Sequence, residues 1–110
     1  MSVAVLSPVA RLNDELRHTF IGGKIMMTAG INALPDDAKA KVLSAVRSFS
    51  EFTEDNDPHN EHDFGSIEVN GEKFFWKVDY YDKSMEYGSE NPADPAVTTR
   101  VLTIMLASEY

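Results

Sequence analysis

The densest group of side chains able to do chemistry lies in TEDNDPHNEHD, residues 53–63. Asp55, Asp57, His59, Glu61, His62 and Asp63 crowd there. Carboxylate and imidazole together are the donors zinc, manganese or iron would take, and carboxylates alone suit calcium or magnesium. Asp55, Asp57 and His59 imitate the start of a calcium loop. The imitation ends where that loop needs a glycine and a bidentate glutamate, because Asn60 and Ser66 stand there. No HExxH spacing is present. The six residues therefore stand as candidate metal ligands for a small hydrolase, with His59 or His62 as ligand or proton carrier. Against this stands a plainer reading. Asp, Asn and Pro form turns, and Asx-type bonds would tie the loop to the structure that follows it.

A second group is Lys77, Asp79, Tyr81 and Asp82. The first three share one side of an extended strand, either as a ligand row or as a partly solvated face with a Lys–Asp pair. Arg100 has the parity of Leu102 and is expected to point inward, with Asp79 or Asp82 as its carboxylate partner. His18 reads as a surface residue near a helix end. Gly22-Gly23 precedes an apolar run rather than a helix, the wrong context for cradling phosphate, and no nucleophile elbow is present.

The elements that must position these residues are legible in outline. Ser7 and Pro8 open a helix that runs to Phe20, with Val9, Leu12, Leu16 and Phe20 at helical spacing. Lys24–Thr28 is a short strand, and Gly30 breaks the chain. Pro35–Phe49 is a second helix with Asp36 and Asp37 in its first turn and Val42, Val46 and Phe49 as its apolar stripe. Asn70-Gly71 is the two-residue turn of a hairpin between Phe64–Val69 and Glu72–Tyr81. That turn sets the register: Val69 opposite Glu72, Glu68 opposite Lys73, Ile67 opposite Phe74, Ser66 opposite Phe75 and Gly65 opposite Trp76. One face then gathers Ile67, Val69, Phe74, Trp76, Val78 and Tyr80. Residues 83–97 are a polar loop. Thr98–Ala107 is apolar on both parities and reads as a central strand covered on both faces. Met26, Met27 and Met105 read as core fillers. The order α-β-α-β-β-β predicts one α+β domain over residues 1–110, with two helices on a mostly antiparallel sheet of about four strands.

At 110 residues with 43% hydrophobic side chains, the chain has enough apolar surface for its own core. It has no cysteine, which excludes disulfides and thiol catalysis and fits a reducing compartment. MSVAVLSPVARLND lacks the basic start of a signal peptide, and no apolar run reaches membrane length. A cytoplasmic protein is therefore expected. The net charge of −8 is uneven. Residues 1–47 carry six basic groups and four acids, whereas residues 48–110 carry four basic groups and 14 acids. Such a surface disfavours direct contact with nucleic acid or anionic membranes and suits a basic protein partner.

Residues 55–82 (DNDPHNEHDFGSIEVNGEKFFWKVDYYD), the SENPADP segment at 89–95, TTRVLTIMLASEY at 98–110 and GGKIMMTAGI at 22–31 resemble the uncharacterised bacterial family named domain of unknown function 3768. The likeness runs from residue 12 to the last residue. It implies a small alphaproteobacterial protein, often plasmid-borne or carried on other mobile elements, and brings no catalytic residues. Such elements often carry proteins that blunt host defence. The reading put first is a non-enzymatic interaction protein, in concrete form an anti-restriction or anti-CRISPR-like inhibitor. It would mimic nucleic acid on the basic channel of a host defence nuclease through Asp55, Asp57, Glu61, Asp82, Glu86 and Glu90. The metal-dependent hydrolase is the alternative. A regulatory module that binds a small ligand, or that forms a homodimer through a strand edge, is the third.

Overall fold

A computed structural model describes residues 6–110. Helix α1, Pro8–Thr19, begins as its sequence dictates: Pro8 fills the first turn, and the Ser7 hydroxyl accepts from the Ala10 amide at 3.0 Å. It ends on Phe20, in the left-handed conformation at φ 59°. Strand β1, Lys24–Met27, follows, then a one-turn helix α2, Ala29–Asn32, and α3, Asp36–Ser48. Asp36 and Asp37 occupy the first turn of α3 and Arg47 its last, matching the helix dipole at both ends. Strands β2, Phe64–Val69, and β3, Glu72–Tyr81, form the hairpin. Asn70 and Gly71 both have positive φ, as a tight hairpin turn requires. Strand β4, Thr99–Leu106, ends in a short 3₁₀ turn, Ala107–Glu109.

The four strands order as β1-β4-β3-β2, antiparallel except for the parallel β1–β4 pair. The hairpin register is the one expected, from Val69 opposite Glu72 to Gly65 opposite Trp76. The core lies between the helices and one face of this sheet. Phe74, Trp76, Val78, Leu102 and Ile104 meet Leu16, Ile31, Val42 and Val46 there, with Ile67, Val69 and Tyr80 at its margin. Gly65 lies under the indole of Trp76, and a Cβ at that position would overlap the ring.

Three expectations need correction. Residues 29–32 are helical rather than a simple break. Glu109, from the far end of the chain, accepts from the Thr28 hydroxyl and the Gly30 amide, a contact that local sequence cannot announce. The buried side of α1 is Ala10, Asn13, Leu16 and Arg17, whereas Val9, Leu12 and Phe20 are only half-buried. Strand β4 is central and buried on both parities, as expected, with Val101 7% and Met105 4% exposed, and the helices supply the cover on its Leu102–Ile104 side. On the other side stand Val101, Thr103 and Met105, with Lys24 and Met26 of β1 beside the first two and Phe75 opposite Met105. Met26 is 54% exposed and is no core filler, because β1 is an edge strand whose alternate residues face away from the helices. No helix among the described residues is long and apolar enough to cross a membrane.

Candidate functional site

Two acid-rich loops leave the same end of the sheet. Residues 49–63 lead into β2 at Phe64, opposite Lys77 of β3, while residues 82–98 leave β3 after Tyr81 and enter β4 at Thr99, the partner of Tyr81. Between them they hold Glu51, Glu54, Asp55, Asp57, Glu61 and Asp63, then Asp82, Glu86, Glu90 and Asp94, against the single cation Lys83.

Asn13 joins the two loops from beneath. Its side chain is 0% exposed. Its Nδ2 donates to the Glu61 carbonyl at 3.0 Å and to the Tyr80 hydroxyl at 2.8 Å. Its Oδ1 accepts from Arg100 Nε at 2.9 Å, and Arg100 Nη2 in turn donates to the Pro92 carbonyl. An arginine can only donate, so the amide orientation is fixed by this partner. Burial, with help from Glu61 and Asp63, pushes the Tyr80 phenol above its ordinary pKa, so the hydroxyl stays neutral. Arg100, 3% exposed, points inward as expected. Its partners are neutral oxygens, however, and neither Asp79 nor Asp82. Asp79 stands on the opposite face of β3, paired with Lys77 at 2.9 Å. Asp82 accepts from the Ser84 hydroxyl and from the amides of Glu86 and Tyr87, which holds its carboxyl below the usual range.

A second set of bonds ties down residues 57–62. Asp57 Oδ1 accepts from the amides of Glu61 and His62 at 3.0 and 3.2 Å. His62 Nδ1 lies 2.9 Å from Asp14, its Nε2 lies 3.6 Å from Asp57, and its ring stacks on Phe52 at 3.8 Å. Asp14 then accepts from Arg17 Nη2 at 3.0 Å. Arg17 Nη1 donates to the Val46 and Phe49 carbonyls at 2.9 and 2.6 Å, a cation closing the negative end of α3. Its guanidinium lies over Trp76 and Phe52. Burial lowers the Arg17 pKa, and Asp14 opposes that shift.

The six candidate ligands are thus dispersed. Asp57 is 9% exposed and its carboxylate is spent on backbone amides and His62, the Asx-type tie that turn chemistry anticipates. Both ring nitrogens of His62 face carboxylates. Asp55 and His59 are exposed, and Glu61 and Asp63 are half-buried. Burial first, then the neighbouring Asp63, raises the Glu61 carboxyl. Among the described residues no three carboxylate, imidazole or thiol groups converge as a metal site would require. Of the six acids expected to face a partner, Asp55, Glu86 and Glu90 are exposed, Glu61 and Asp82 are half-buried, and Asp57 is buried. Asn13, Asp14 and Arg17 escaped the sequence reading. Their one signal is helical spacing with Ala10, a stripe in which polar residues replace apolar ones.

A family model described as protein of unknown function, DUF3768, matches residues 27–109. No curated protein and no solved structure matches.

Proposed function

The chain belongs to that family, and we propose that it acts as a non-enzymatic interaction protein whose acidic loop end docks on a basic protein surface. The observation that carries this reading is the convergence of residues 49–63 and 82–98 at one end of the sheet, ten carboxylates against one lysine. Hydrogen bonds to Asn13, Arg100 and Asp14 hold those loops from inside, so exposed acids such as Asp55, Glu86 and Glu90 start from a preset arrangement. Preset charge lowers the cost of binding and steers encounter. A groove that normally takes phosphate is a fitting target. An inhibitor of a host nuclease, acting as a nucleic-acid mimic inside a bacterial cell, is the specific form we put forward.

The test is capture of nucleic-acid-binding proteins from host lysate on the immobilised chain, in the presence of nuclease, eluted with rising salt. The expected partner is held at about 50 mM salt, released by several hundred mM, and displaced by added DNA. Asp55→Asn, Glu86→Gln and Glu90→Gln together should abolish capture while leaving the melting temperature in place. A partner equally well held at low and high salt would overturn the reading.

A further inference from the structure

The sheet has two edges, and the chain treats them differently. Edge strand β2 is guarded: Glu68 stands on it, and residues 48–51, Glu51 among them, flank residues 66–68 across a shallow hollow. Charge on an edge and chain laid beside it are how proteins keep foreign strands away. Edge strand β1 has only Lys24. Residues 25–35 carry no charge in a chain that is 25% charged, and Ile21 and Met26 are 75% and 54% exposed. The backbone of β1 is open as well. Thr28 donates to the Ile104 carbonyl, so Lys24 and Met26, of the same parity, turn their amides and carbonyls toward β4. Gly23, Ile25 and Met27 therefore turn theirs outward, where no strand lies among the described residues. One of these groups is taken: Asn32 Nδ2 donates to the Met27 carbonyl at 3.2 Å.

We infer that β1 pairs antiparallel with β1 of a second copy of this chain, about a two-fold axis at Ile25. Each Ile25 amide then donates to the Ile25 carbonyl of the other copy, and each Met27 amide to the other Gly23 carbonyl. These bonds leave the Met27 carbonyl to Asn32, whereas an axis at Met26 would need it. The side chains agree with this register. Lys24 and Met26 stand on the face away from the helices, so Lys24 of each copy lies beside Met26 of the other, and its methylene stem covers that exposed methionine. Charge selects the direction. Strand β1 runs parallel to β4, and Lys24 pairs with Val101 near the end where both acidic loops meet the sheet. Antiparallel copies point their acid ends apart, whereas parallel copies would set them side by side, −8 against −8. One edge thus serves both copies in a closed contact made by strand addition. The inference stands apart from the basic-partner reading.

The test is sedimentation of the whole chain from about 1 μM to about 1 mM, at about 150 mM salt. The contact is short, so a dissociation constant on the order of 100 μM is expected. Met26→Lys sets like charges opposite each other twice, once on each side of the axis, and should weaken the dimer about tenfold. Met26→Glu faces Lys24 of the other copy and should tighten it about tenfold. Lys24→Glu combined with Met26→Lys restores opposite charges and should bring the dimer back. Both side chains are exposed, so the melting temperature of the dilute variants should stay in place. In the concentrated chain the amides of Ile25 and Met27 should gain protection from exchange. A chain still monomeric at about 1 mM would overturn the inference. So would a dimer that ignores these variants, or one that Met26→Glu weakens as much as Met26→Lys does.

Discussion

Replacing Asn13 by leucine keeps the number and branching of side-chain heavy atoms and removes every polar contact, so the loss reports the hydrogen bonds rather than a cavity. Three partners lose their bond together: the Glu61 carbonyl, the Tyr80 hydroxyl and Arg100 Nε. The two neutral bonds are worth about 1 kcal/mol each and the bond from the buried guanidinium about 2 kcal/mol. The expected loss is therefore about 4 kcal/mol, a large share of the roughly 5–15 kcal/mol that holds a domain together. At about 4 °C per kcal/mol for a chain of this size, the melting temperature should fall by about 16 °C. Urea unfolding gives the free energy. Amide exchange gives the specific signature, because residues 57–62 and 89–95 should lose protection together although they are distant in sequence. A loss below about 1 kcal/mol, or faster exchange in only one of the two segments, would refute the idea that Asn13 couples them.

Gly65→Ala should destabilise by about 3 kcal/mol or prevent folding, because the added Cβ overlaps the Trp76 indole; a shift in Trp fluorescence with a lowered urea midpoint checks it. Arg17→Lys keeps the charge but cannot hold the Val46 and Phe49 carbonyls and Asp14 at once, so about 2–3 kcal/mol should be lost and the end of α3 should exchange faster. Burial and Asp63 raise the Glu61 carboxyl in the folded chain, so its ionisation opposes folding. That contribution is fully favourable below the ordinary carboxyl pKa and is lost as pH rises through the raised folded value. Glu61→Gln should flatten the fall in stability over that window, and unfolding curves of the variant that keep the original slope would contradict the assignment.

The hairpin was readable because its determinants are local. Asn70-Gly71 fixes the turn, the turn fixes the register, and the register places Phe74, Trp76 and Val78 on one face. The helix limits were readable for the same reason, from Ser7, Pro8 and the acids at 36 and 37. What escaped depends on partners far along the chain. The one-turn helix at 29–32 needs Glu109, the pairing of β1 needs β4, and Asn13 acquires its role only when Glu61, Tyr80 and Arg100 arrive around it. A polar residue on a helix reads as solvent-facing until those partners are known. Arg100 was placed inward correctly by parity. Its expected carboxylate was wrong, because Asp79 points to the other face and Asp82 is consumed by its own turn.

The order β1-β4-β3-β2 also governs when the molecule can fold. The strand that bridges β1 and the hairpin is the one synthesised last. Until β4 leaves the ribosome, β1 and the hairpin have no strand between them, and Leu102 and Ile104 are missing from the core. Closing that gap joins residues nearly eighty positions apart, from Lys24 with Val101 to Met27 with Ile104. Such distant pairings make folding slow relative to helical chains of equal length. During translation the nascent chain thus exposes one free edge on β1 and another on β3, with Met26 and Phe75 beside them. This is the interval in which a chaperone is most needed and in which mispairing between neighbouring nascent chains is most favoured.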